Sequence, residues 1–70
     1  MRYERDSRRL IQRLTREGWE QVKVRGSHHQ FRHPTIPGKV SVPHPKRDLT
    51  LKTAKSIYFQ AGWLAEKEAE

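Results

Sequence analysis

Three of the four histidines in this chain, His28, His29 and His33, fall within six positions, in the run Gly26-Ser27-His28-His29-Gln30-Phe31-Arg32-His33-Pro34. Histidine is the side chain whose ordinary pKa places proton exchange near neutral pH, so it is the residue type to look for where a proton must move. From Gln21 to Arg47 the chain carries six Lys or Arg and no Asp or Glu. A proton-transfer residue inside an acid-free basic stretch suits chemistry on a phosphodiester.

The three histidines are not equivalent. On an extended strand, His28, Gln30 and Arg32 share one face and His29, Phe31 and His33 the other. Phe31 is the core candidate, so the His28 face is expected to be open. There His28 can take a proton from an attacking hydroxyl or give one to a leaving oxygen, and Arg32 on the same face can stabilise developing charge. From the strand pattern alone an ordinary exposed histidine is the commoner outcome. His29 and His33 read as half-buried residues satisfied by backbone groups before they read as catalytic. They make no metal site. His28 and His29 point to opposite faces, and His29 and His33 lie roughly 13 Å apart along a strand. No metal or other cofactor is expected. His44 sits in Pro43-His44-Pro45, where the restricted backbone presents the ring at low entropic cost. It can orient RNA or supply a second proton-transfer group, and it reads equally as a simple structural loop residue.

Lys23, Arg25, Lys39, Lys46 and Arg47 have the placement of a phosphate-binding patch. A solvated surface serving only solubility is the bland alternative, and the missing acids tilt the reading towards binding. Arg8, Arg9, Arg13 and Arg16 are interleaved with Glu17 and Glu20 and weigh less. Trp19 and Trp63 read as core or cap residues. Phe59 falls outside the core stripe of its helix, beside Lys52 and Lys55, as a partner contact or as cover for the helix edge.

Seventy residues make one small domain (1–70), near the lower limit for a self-supporting core, and a net charge of +7 favours anionic partners. There is no cysteine, which removes disulfides and thiolate metal sites. No apolar run approaches membrane-spanning length and the N-terminus lacks the apolar core of a secretory signal, so a cytoplasmic protein without membrane contact is the simplest expectation.

The elements that must position these residues follow from local signals. Ser7 to Glu17 is predicted as a helix, capped by Asp6 or Ser7 and ended by Gly18, with Leu10, Ile11 and Leu14 as its apolar stripe. Trp19 to Arg25 is predicted as a strand with Val22 and Val24 on one side. Gly26-Ser27 makes a two-residue hairpin turn, His28 to His33 the second strand, Pro37-Gly38 the next turn, and Lys39 to Pro43 the third strand with Val40 and Val42 inward. A second helix is predicted from Thr50 to Gln60, with Leu51, Ala54, Ile57, Tyr58 and Ala61 on its core face. Gly62 ends it and Trp63 packs back over its last turn. The core spans about 7–63, and the acidic tail of 64–70 is expected to fray. The result is an α+β fold, α-β-β-β-α. A three-stranded antiparallel meander carries both helices on one face, because so few apolar residues cannot cover two. The arrangement is similar to the double-stranded-RNA-binding domain.

On the ordered set Glu17-Gly18-Trp19, Gly26 to Pro34, Pro37-Gly38, Val40-Ser41-Val42-Pro43-His44-Pro45, Asp48-Leu49 and Gln60-Ala61-Gly62, the chain resembles the HicA toxin family, mRNA interferases of bacterial toxin–antitoxin pairs. The resemblance implies metal-independent cleavage of single-stranded RNA or mRNA and neutralisation by a HicB-type antitoxin. It maps the family's catalytic histidine to His28, with Gly26 and Ser27 as the motif turn. The chain departs from the family at Thr50, where proline is common, at Phe59, usually polar, and at Trp63, usually a smaller aliphatic residue. Two other classes carry the same basic surface: a non-catalytic RNA-binding module, and a protein-interaction subunit whose charge serves an acidic partner.

Overall fold

The computed structural model describes residues 3–64. Helix α1 spans Ser7–Arg16 and helix α2 Leu51–Gln60, with strands β1 (Glu20–Arg25), β2 (His28–Arg32) and β3 (Lys39–Pro43) between them. The strands form one antiparallel sheet in the order β1-β2-β3. This is the expected α-β-β-β-α meander.

Both helices start and stop for local reasons. Asp6 caps α1 by accepting the Arg8 N–H at 2.9 Å, and Thr50 caps α2 by accepting the Thr53 N–H at 3.2 Å. A proline at position 50 would offer no such side-chain acceptor. Each helix ends in Gly-Trp. The Trp19 N–H reaches back to the Leu14 carbonyl (2.9 Å) and the Trp63 N–H to the Tyr58 carbonyl (2.9 Å), across glycines at φ 97° and 76°. These are paired Schellman ends, in which only glycine takes the left-handed position without strain.

One apolar cluster holds both helices to one sheet face. Leu10 and Leu14 of α1 and Ala54, Ile57 and Tyr58 of α2 are buried, as are Phe31 of β2 and Val40 and Val42 of β3. Register explains the sheet's share: Phe31 pairs with Val40, and Val42 with His29, so these side chains share a face. Leu49, Trp19 and Ala61 close the cluster's ends.

Three expectations need correction. Val22 and Val24 do not form one apolar side of β1. The β1–β2 register shifts between Gln21 and Lys23, which interrupts the two-residue alternation, and both valines are exposed. Leu51 is exposed as well. At 3.6 residues per turn it lies about 70° from the centre of the buried stripe, and as the first helical residue it has no preceding turn to pack on. Leu64, counted with the tail, is buried in the core; the rest of that tail, 65–70, lies outside the described residues.

Trp63 ties the helix ends together. Its indole N–H donates to Glu17 Oε1 (2.7 Å), Arg13 Nε donates to Glu17 Oε2 (3.0 Å), and the Arg13 guanidinium lies 3.9 Å from the Trp63 ring centroid. Partial burial would raise the Glu17 carboxyl, but the Trp63 hydrogen bond and then the Arg13 bond and charge outweigh it and hold the group below its ordinary value. A depressed carboxylate stabilises the fold above its unfolded pKa, near 4.5, and loses that contribution as pH falls through the lower folded value. Glu17→Gln is therefore expected to lower the melting temperature at neutral pH, by the equivalent of about 1 kcal/mol or less for so exposed a pair. The difference should shrink towards zero in acid. Thermal melts of both proteins across that range check this; an equal difference at every pH would rule out the charge as its source.

Candidate functional site

The pairing that turns Phe31 inward turns His28, Gln30 and Arg32 outward, as the alternation predicts. Three rungs of paired residues cross this open face: Arg25, His28 and Pro43; Lys23, Gln30 and Ser41; Glu20, Arg32 and Lys39. His28 is exposed at the first residue of β2, directly after the turn. Gly26 has φ 59° and no residue other than glycine has positive φ among the described residues, the pattern of a type II′ turn. That turn sets Arg25 and His28 directly opposite, with Cβ atoms roughly 5 Å apart. His28 is exposed, and no side-chain hydrogen bond among the described residues occupies its ring.

Helix α2 runs beside β3 and caps its outer edge, where Gln60 Oε1 accepts the Ser41 N–H at 3.0 Å. Its first turns overhang the open face. His28, Ser41 and Pro43 from the sheet and Lys52, Thr53, Ser56 and Ile57 from α2 line a shallow groove of about 340 Å3. None of these seven side chains is acidic. Lys52 is the member whose place beside His28 no sequence signal announces. Nothing local marks it, because it is twenty-four positions from His28 and reaches the groove only once α2 docks on β3.

The basic residues divide into two groups. Lys23, Arg25, Arg32 and Lys39 stand on the open face with His28. Arg32 is four residues from His28, roughly 13 Å along the strand, at the far end of the same face. Lys46 and Arg47 lie elsewhere, at the start of α1, where they line a separate hollow with Asp6, Ser7, Arg8, His44 and Pro45.

His44 belongs to that second place and to the opposite side of the sheet from His28. Its ring stands edge-on to His29 at 5.0 Å, and its Nδ1 lies 2.7 Å from the Ser7 hydroxyl. The Lys46 N–H donates to the same hydroxyl at 2.8 Å, so Ser7 joins the His44 ring to the backbone of its own loop. Ser7 is 1% exposed, and these two bonds are what make its burial affordable. His29 pairs with Gln21 Oε1 at 3.0 Å. His33 Nε2 donates to the Glu17 carbonyl at 2.9 Å and its Nδ1 accepts the Thr35 N–H at 3.1 Å. That ring closes the C-terminus of α1, and a Cβ at Gly18 would come within 3.0 Å of it. His29, His33 and His44 are thus engaged by the fold, and His28 is the histidine left open.

No helix among the described residues is long and apolar enough to cross a membrane. No curated protein matches the chain. Among known protein families, residues 7–63 match the HicA toxin of bacterial toxin–antitoxin systems, a span that holds all five elements and every residue of the His28 groove. The chain belongs to the HicA toxin family and is the toxin member of a toxin–antitoxin pair.

Proposed function

We propose that this toxin is an endoribonuclease that cuts mRNA, with His28 as the proton-transfer group. The observation that carries the reading is a single unengaged histidine on a basic, acid-poor sheet face, opposite Arg25 and in one groove with Lys52. The chemistry needs no metal. In the balanced step, the ribose 2′-oxygen attacks the adjacent phosphorus as its proton is removed, the bond from phosphorus to the 5′-oxygen breaks, and that oxygen is protonated. The products are a 2′,3′-cyclic phosphate and a 5′-hydroxyl. His28 serves one of the two proton transfers, and Arg25 and Lys52 are placed to meet the charge that grows on the phosphoryl oxygens. Arg32, Lys23 and Lys39 then act on the RNA backbone further along the face. His44, Lys46 and Arg47 meet the RNA on a second surface, at the start of α1.

Its partner is a HicB-type antitoxin that covers the open face, where an acidic protein gains both steering and orientation. Cytoplasmic mRNA is the substrate this implies. Purified toxin is expected to cleave single-stranded RNA in EDTA, leaving cyclic phosphate ends, and to stop when the antitoxin is added. Activity lost in chelator and restored by a divalent ion would overturn the metal-free step. RNA bound but never cut would leave a binding module instead.

A further inference from the structure

Phe59 is 59% exposed on the outer face of α2, where the core makes no use of it. A second hollow surrounds it, lined by Lys52, Lys55, Ser56 and Phe59. Lys52 and Ser56 line this hollow and the His28 groove alike, so the two are continuous across one helix face. Lys52 and Ser56 are four residues apart, as are Lys55 and Phe59, which sets the four side chains in two adjoining columns. Helix α2 has no Asp or Glu.

We infer that this face is the track along which RNA leaves the His28 groove, running from the phosphate that Lys52 meets there to Phe59, which stacks under a base. The inference rests on the endoribonuclease reading and extends the substrate contacts beyond the reacting phosphate. Its basis is the chemistry of the surroundings. A lone aromatic ring flanked by lysines is the arrangement that binds single strands, ring against base and ammonium against phosphate, with little regard to sequence. The buried centre of a protein interface is instead depleted in lysine and gathers several apolar residues. Lys52 and Phe59 are separated by about 10 Å along the helix axis, within reach of one continuous strand that starts at His28.

The test measures binding of a labelled, mixed-sequence, single-stranded RNA to the non-cleaving His28→Ala protein, with Phe59→Ala, Phe59→Tyr or Lys52→Ala added. Phe59→Ala is expected to weaken binding roughly five- to a hundredfold without changing its salt dependence, and Phe59→Tyr to retain it. Lys52→Ala should weaken binding and reduce the salt slope by about 0.7. Thermal melts should be unchanged, since neither side chain is buried. Phe59→Ala binding RNA as its parent does would overturn the inference. So would a loss confined to antitoxin affinity, which would make Phe59 a protein contact. Cleavage by otherwise unaltered toxin separates the two levels. If it cuts RNA while Phe59→Ala binds and cuts equally well, only the track falls. If it neither binds nor cuts RNA, the track and the endoribonuclease reading fall together.

Discussion

His28→Ala is expected to lose cleavage by about 10²–10⁴-fold, the range that a positioned proton-transfer group supplies, while keeping its fold and most of its affinity for RNA. The fold should survive because His28 is exposed at the end of a hairpin turn, so its removal opens no cavity. Such surface changes usually move stability by less than about 0.5 kcal/mol. Affinity should survive because Lys23, Arg25 and the other cations of the open face remain. The measurement is a cleavage time course, an RNA titration and a thermal melt on each protein, with His29→Ala as the control. His29 shares a face with Val42 and bonds Gln21, so its loss should lower the melting temperature more than it slows cleavage. A folded His29→Ala that is inactive, beside an active His28→Ala, would reassign the proton transfer to the other side of the sheet.

Phe31→Ala should show the reverse pattern, three residues along the same strand. Phe31 is 2% exposed and packs beside Val40 at the centre of the only apolar cluster among the described residues. Truncating a buried phenylalanine costs about 3–5 kcal/mol. A domain of this length has roughly 4–10 kcal/mol in total. The variant should therefore be largely unfolded or on the edge of unfolding, and any lost cleavage should track the unfolded fraction. Urea denaturation followed by circular dichroism checks this through the midpoint. A midpoint within error of the parent would mean that the Phe31 side does not face the core, and the assignment of His28 to the open face would fall with it.

These opposite outcomes were legible in the primary structure because β2 is regular. Its five residues pair with β3 without a slip, so alternation carries the side of Phe31 directly to the side of His28. β1 shows the limit of that logic. Its alternation breaks at Val22, and the break is a property of pairing with β2 that no local preference announces. Leu51 shows a second limit. Helical spacing puts it at the margin of the apolar stripe, but as the first residue of α2 it has no preceding turn to pack on and stays exposed.

The local chemistry of the chain was thus enough for the element order, both Gly-Trp helix ends, the turn before His28 and the open side of β2, because each depends on residues within one or two turns of each other. Tertiary structure alone decided what stands around His28. Arg25 faces it through the hairpin, Lys52 joins it when α2 docks on β3, and His44 is withdrawn from it to the opposite side by Ser7, thirty-seven positions away. Trp63 likewise finds Glu17 forty-six positions back. The physical reason is one of range. Backbone preference and strand alternation act between neighbours in sequence, whereas the electrostatics of a site depend on whichever elements the apolar cluster brings together.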